Sequence, residues 1–126
     1  MDKPTHEDAM LLLHFAQWPG MPEAVDYIWS EDFIADYAEF VKKYPFGSEE
    51  RLKVSKTCGY FELLGLYYKH GLLNGELIFD WYAIDAVWDK VKDYVHGLRQ
   101  ETGDRRLFEH FEALALADAE WEASKR

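Results

Sequence analysis

Residues 58–73 constrain the fold of this chain more than any other segment. Apolar side chains occur there at nearly every position of a helical repeat, and the run ends at Gly71 followed by two leucines. A helix that is apolar on all sides must be covered by other protein elements or by lipid. The segment is too short, and too polar at its ends, to span a bilayer. We therefore expect residues 52–70 to form the central helix of a helical bundle.

Signals for the start and end of helices divide the rest of the chain. Thr5, Ser48 and Asn74 are typical N-cap residues, and Gly71 and Gly103 suit the left-handed position just past a helix end. We predict an all-α fold, a single domain over residues 1–126 built as a compact bundle of five or six helices. Residues 87–98 carry the clearest amphipathic pattern and are expected to pack against the central helix. A last helix has an apolar stripe that Asp118 interrupts.

The charge and cysteine content limit the classes of partner. The formal net charge is −10, which repels phosphate backbones, so we expect no nucleic-acid binding. The early apolar run around Met10 is flanked by acidic residues and histidines, which predicts an amphipathic helix and no membrane anchor. One cysteine cannot form an internal disulfide, and no signal-peptide pattern is visible. We expect a cytoplasmic protein.

No constellation of residues predicts catalysis, a metal or a cofactor. Cys58 and His70 are separated by roughly 18 Å along a helix, at 1.5 Å per residue, which is too far for a catalytic pair. The nearest approximations to a helical metal site are the pair formed by Asp93 and His96 and the trio formed by Glu109, His110 and Glu112. We predict no catalytic, metal or cofactor residues.

Three residues within the apolar helix need an explanation. Gly59 and Gly65 weaken a helix by about 1 kcal/mol each relative to alanine, which indicates that a backbone or a bulky ring approaches closely there. Glu62 is a carboxylate among apolar neighbours, and once buried it needs a cationic partner or several hydrogen bonds. Arg99 and Arg51 are the expected partners. A structural ion pair and a ligand-binding carboxylate both remain open.

Part of the chain, about residues 50–116, resembles a known family. The motifs are Phe61-Glu62-Leu63-Leu64-Gly65, Lys69-His70-Gly71-Leu72-Leu73, Glu76-Leu77-Ile78-Phe79-Asp80, Trp88, Arg99 before Gly103, and Phe111-Glu112-Ala113-Leu114-Ala115. They are similar to a bacterial, all-helical domain of unknown function, the family numbered 4760. The resemblance implies a wholly helical fold and matches Glu62, Arg99 and Glu112 as polar positions. It implies no activity or cofactor. Many members carry an N-terminal membrane-anchoring segment, which the first 45 residues of this chain do not resemble.

Three functions remain possible at this point. The first is a non-enzymatic interaction or regulatory module that binds a protein partner through its acidic surface or an exposed aromatic patch. The second is an enzyme or small-ligand binder with an interhelical pocket anchored by Glu62 and lined by Tyr60, Tyr67, Trp81 and Trp88. The third is an acidic inhibitor of a basic, nucleic-acid-binding partner. Glu62, Arg99, Glu112 and Trp88 are the candidate polar-core or ligand positions, and a homodimer is possible.

Overall fold

The computed structural model describes residues 3–125, and all regular secondary structure in that range is α-helix. Its seven helices are α1 (His6–Ala16), α2 (Met21–Trp29), α3 (Tyr37–Lys43), α4 (Glu49–Lys69), α5 (Gly75–Trp81), α6 (Ile84–Thr102) and α7 (Glu109–Ser124). The all-α prediction is confirmed. The predicted count of five or six helices is wrong, because the chain stays non-helical between Ser30 and Asp36 and again at Tyr82 and Ala83. These breaks separate α2 from α3 and α5 from α6.

The local start and end signals act as predicted. The Thr5 N–H donates to Asp8 Oδ2 at 2.8 Å, and Thr5 Oγ1 accepts from the Asp8 N–H at 3.1 Å, forming a capping box at α1. The side chains of Ser48 and Asn74 cap α4 and α5. Gly71 and Gly103 have φ values of 70° and 73°, a backbone conformation that glycine adopts without a steric penalty.

The core lies where α4 and α7 pack against each other and α2 and α6 close over them. Phe40, Leu64, Val91, Phe111 and Leu114 are fully buried there. Burial of one such side chain contributes roughly 1.5–3 kcal/mol, so contacts of this kind dominate the stability of the bundle. Helix α6 packs mainly against α7 and α3, and it meets α4 through Tyr94, which lies beside Arg51. Helix α7, and not residues 87–98, has the most extensive packing against α4.

Helix α4 is not buried on all sides. Its buried face includes Val54, Cys58 and Leu64, but Leu52 is 58% exposed. A β-carbon added to Gly59 would have no neighbouring atom within 4 Å, so that face of the helix is open as well. Helices α2 and α7 are the principal elements packed on α4, and part of the remaining surface faces solvent. The predicted central helix, apolar and covered all round, is therefore not found.

Crossing a bilayer needs both a long helix and a high hydropathy over its length. Within residues 3–125 no helix combines the two.

Candidate functional site

The carboxylate of Glu62 caps the N-terminus of α7. Its Oε1 accepts hydrogen bonds from the backbone N–H groups of His110 and Phe111, at 2.8 and 2.9 Å. Its Oε2 lies 2.6 Å from His110 Nδ1, which donates when the proton is on that nitrogen. The first N–H groups of a helix have no partner within the helix, and they carry a partial positive charge. Glu62 supplies both the acceptor and the negative charge from another helix.

Helix α7 needs this outside carboxylate because its own N-cap residue provides no cap. Phe108 occupies that position with φ 60°, a left-handed conformation unusual for a residue with a side chain, and it makes no side-chain cap hydrogen bond. Glu62 therefore replaces the serine, threonine or aspartate that a helix usually carries at its start. The expected partners of Glu62, Arg99 and Arg51, are wrong: its partners are His110 and two backbone N–H groups.

Gly65 brings α7 close enough for Glu62 to reach it. A β-carbon at position 65 would lie closer to the backbone oxygen of His110 than real β-carbon contacts allow. The close approach predicted at Gly65 is confirmed, and the approaching group is backbone. The same prediction at Gly59 is wrong, since the space around Gly59 is open.

Arg99 ties the loop before α7 to α6. Its Nε donates to the backbone oxygen of Leu107 at 2.8 Å, and its Nη1 lies 2.9 Å from Glu112 Oε1. The guanidinium carbon is 5.9 Å from the centre of the Trp88 ring. The candidate residues Arg99, Glu112 and Trp88 thus form one cluster at the start of α7, and Glu62 holds that same helix start from α4.

Arg51 lies elsewhere, at the start of α4. It is buried, and its guanidinium stacks on the exposed ring of Phe46 with 3.5 Å between the guanidinium carbon and the ring centre. Its position beside Tyr94 opposes the increase in the pKa of that tyrosine, which burial raises. Arg51 packs α3, α4 and α6 together and does not contribute to the Glu62 cluster.

Asp118 is a second carboxylate cap, which sequence reasoning missed. It is fully buried in α7, and its Oδ2 accepts from the Asp85 N–H in the first turn of α6 at 3.1 Å. Helix α6 also lacks a cap of its own, since Ala83 is its N-cap residue. Burial raises the pKa of Asp118 to about 6, and the nearby Asp85 carboxylate adds to the increase. The interruption of the apolar stripe by Asp118 was the signal available in the sequence.

A cavity of about 280 Å³ opens between α2, α4 and the α5–α6 connection. Its lining is almost entirely apolar or aromatic: Ala16, Met21, Pro22, Val25, Trp29, Tyr60, Phe61, Trp81, Tyr82, Ala83 and Val87. Tyr60 and Trp81 line it as predicted. Tyr67 lines a smaller, separate cavity, and Trp88 lines a third, so the predicted pocket does not exist in the form expected. Glu62 lines none of these cavities, because it is turned toward α7.

The two tyrosines of the cavity are hydrogen-bonded to each other. The Tyr60 hydroxyl donates to the backbone oxygen of Phe15 at 2.8 Å and also contacts the Tyr82 hydroxyl. Burial raises the pKa of both tyrosines, so both keep their protons at neutral pH. Because Ala16 follows Phe15 and also lines the cavity, the hydroxyl pair lies at the α1 side of its wall.

Two tryptophans on the rim of the cavity are unusually exposed. Trp29 is 48% exposed and Trp81 is 65% exposed, although both are large aromatic side chains. Lys90 Nζ lies 5.5 Å from the centre of the Trp29 ring, within the range of a cation–π contact. We call Trp29, Trp81 and the cavity that both line the aromatic face.

The candidate catalytic and metal groups lie apart or are already paired. Cys58 is fully buried and burial raises the pKa of its thiol, which therefore stays protonated and unreactive at neutral pH. Of the trio considered for a metal, Glu109 pairs with Arg106 while Glu112 pairs with Arg99. Across residues 3–125 no three histidine, cysteine, aspartate or glutamate side chains are arranged to hold a metal ion.

The family described as Domain of unknown function (DUF4760) matches residues 4–121, nearly the whole chain. The chain belongs to this family. The match of this DUF4760 domain extends beyond the residues 50–116 that carried the resemblance, and it includes both carboxylate caps and the aromatic face. No curated protein and no solved structure matches the chain.

Proposed function

We propose that this DUF4760 domain is a non-catalytic interaction module that binds a basic protein partner through its aromatic face. The observation that carries the proposal is the exposure of Trp29 and Trp81, which both line a preformed cavity. Exposed apolar surface of this kind commonly marks an interaction site, and tryptophan is among the residues that contribute most to interface energies.

The negative charge of the chain supports a basic partner. The chain carries a net charge of −10, and exposed carboxylates flank the aromatic face in sequence: Asp26 follows Val25, and Asp80 precedes Trp81. Opposite charges around an apolar centre increase the rate of association and exclude partners of the wrong charge. A partner segment with a central anchor side chain and basic neighbours fits this pattern.

An enzyme or a small-ligand binder anchored by Glu62 has less support. Glu62 is occupied as the cap of α7 and is absent from the cavity lining, while the lining contains no ionisable group other than tyrosine. General acid–base catalysis needs a group whose protonation changes near neutral pH within reach of the substrate. Burial raises the pKa of both tyrosines, which moves them away from that range.

The acidic-inhibitor alternative requires carboxylates gathered on one exposed face. Every one of the seven helices carries at least one exposed aspartate or glutamate, so the negative charge is spread around the molecule. This distribution favours general attraction of a basic partner over imitation of a nucleic acid. We place the module, as part of the proposal, in the cytoplasm of a bacterial cell, where its single buried thiol remains reduced.

The test compares two matched variants as bait. The Trp29→Ala/Trp81→Ala double variant removes the aromatic face, and Leu116→Ala removes a side chain of similar exposure, 64%, on α7. Proteins captured from the native cell by the wild type are purified and their affinity for each variant is measured by calorimetry. We expect a loss of at least about tenfold for the double variant and no change for Leu116→Ala.

Two results would contradict the proposal. One is a partner that binds the double variant as tightly as the wild type, which places the interface elsewhere. The other is a folded double variant whose only lost property is self-association in sedimentation, which makes the aromatic face a contact between two copies of this chain.

A further inference from the structure

Neither hydroxyl of the Tyr60–Tyr82 pair has a proton available to donate to a bound group. The Phe15 carbonyl oxygen can only accept, so the single proton of the Tyr60 hydroxyl is directed to it. The Tyr82 hydroxyl must then donate its proton to Tyr60. Both oxygens retain lone pairs, and the hydroxyl pair can therefore only accept hydrogen bonds from a bound group.

The aromatic rings of the cavity favour the same kind of guest. Trp29, Trp81, Tyr60, Tyr82 and Phe61 contribute π faces or edges to the lining, and the negative face of an aromatic ring attracts a cation. Lys90 already lies over the Trp29 ring at 5.5 Å, so Trp81 is the indole on which a second cation would stack. A guest that is cationic, donates hydrogen bonds and has an apolar stem complements every part of the lining.

Arginine fits this description better than lysine. The cavity lining contains no carboxylate to replace the strong hydration of a lysine ammonium group. A guanidinium is more weakly hydrated, is planar, stacks on aromatic rings and carries five N–H donors. The volume of about 280 Å³ is below the usual range for drug-sized ligands and suits one side chain.

We infer that the cavity of the aromatic face receives one arginine side chain of the basic partner, stacked against Trp81 and donating to the Tyr60–Tyr82 hydroxyl pair. The inference rests on the proposed function and specifies the chemistry that the partner must present.

The experiment uses short basic peptides that are identical except for a central arginine, lysine or leucine. Their affinities for the full-length protein are measured from shifts of the tryptophan indole resonances in NMR spectra. We expect the arginine peptide to bind about fivefold more tightly than the lysine peptide, and the leucine peptide to bind most weakly. Trp81→Leu keeps the apolar wall and removes the indole, so it should lower the affinity for the arginine peptide and leave the leucine peptide unaffected.

A second variant tests the hydroxyl pair. Tyr82→Phe keeps the ring and removes one acceptor oxygen, so the preference for arginine over leucine should shrink while the thermal unfolding midpoint stays that of a folded protein. Leu116→Ala, outside the cavity lining, serves as the control and should bind all three peptides as the wild type does.

Different outcomes separate this inference from the proposed function. Leucine binding most tightly would overturn the arginine assignment while leaving an interaction module that recognises apolar anchors. Equal affinity for the arginine and lysine peptides would also overturn it, because the surface would then attract any positive charge and would not recognise the guanidinium group. If no peptide binds, the arginine site is wrong, and the capture experiment with the Trp29→Ala/Trp81→Ala variant decides the proposed function independently.

Discussion

Glu62 and Asp118 perform the same task in two regions of the molecule, under opposite electrostatic conditions. Each is a carboxylate that caps the start of a helix lacking a cap of its own, Glu62 for α7 and Asp118 for α6. Glu62 accepts from two backbone N–H groups and faces His110. Asp118 Oδ2 accepts from the Asp85 N–H, its buried Oδ1 has no hydrogen bond among the described residues, and the carboxylate nearby belongs to Asp85.

The stabilising effect of a capping carboxylate depends on its surroundings as much as on its residue type. A carboxylate at a helix N-terminus is favoured by the partial positive charge of the N–H groups. Full burial and a like charge oppose that gain at Asp118, and burial is the larger cause of its raised pKa. The two caps also link three helices in series, because α4 holds α7 and α7 holds α6.

The largest expected effect comes from disturbing the approach that lets Glu62 reach α7. Gly65→Ala places a methyl group against the His110 carbonyl, and we expect it to lower the free energy of unfolding by about 3 kcal/mol. Gly59→Ala, on the same helix in open space, should instead raise it by up to about 1 kcal/mol through helix propensity. Urea unfolding measures both. Equal effects of the two substitutions would show that α7 can move away from α4 at little cost.

Removing the stronger cap should have the next largest effect. Glu62→Ala leaves two N–H groups of α7 without an acceptor and His110 without its partner, so we expect a loss of about 2 kcal/mol in the free energy of unfolding. Chemical denaturation gives the value, and amide hydrogen exchange should place the loss of protection at the start of α7.

The matched control for this variant is Asp93→Asn, which changes an exposed carboxylate on α6 and should alter stability by less than about 0.5 kcal/mol. A Glu62→Ala protein as stable as this control would mean that the capping hydrogen bonds contribute nothing net, and the comparison with Asp118 would lose its basis.

The smallest effect belongs to Asp118 and depends on pH. Its pKa is raised to about 6 in the folded chain from an ordinary value of 3.8. As pH rises, Asp118 therefore loses its proton at a lower pH in the unfolded chain than in the folded chain. The contribution of Asp118 to stability is therefore complete below pH 3.8 and is lost as pH rises toward 6. Asp118→Asn keeps an acceptor oxygen and removes the charge. We expect the variant to match the wild type near pH ~4 and to exceed it by about 1 kcal/mol at pH ~7.5.

Urea unfolding of both proteins at the two pH values checks this sign, because the other titrating groups cancel in the difference. A variant that is less stable than the wild type at the higher pH would show that the charged carboxylate is a net favourable cap, as at Glu62.

The sequence alone is enough to predict those helix ends that are set by residues close by in the chain. Thr5, Ser48 and Asn74 cap α1, α4 and α5 with their own side chains, and Gly71 and Gly103 end helices through a conformation that needs no tertiary contact. Periodicity likewise indicated an all-α domain. These signals act over a few residues along the chain, so they are visible in a sequence.

Which residue caps α6 and α7, and where a cavity opens, depends on how the helices pack. Nothing near Phe108 or Ala83 in sequence indicates how α7 and α6 begin, because their caps come from Glu62 and Asp118, 48 and 33 residues away from the backbone N–H groups whose hydrogen bonds they accept. Partners at that separation meet only after the helices have packed, and the open space at Gly59 against the close contact at Gly65 depends on the same packing. Hydrogen bonds between distant residues follow from the arrangement of the elements, and that arrangement is a property of the whole chain.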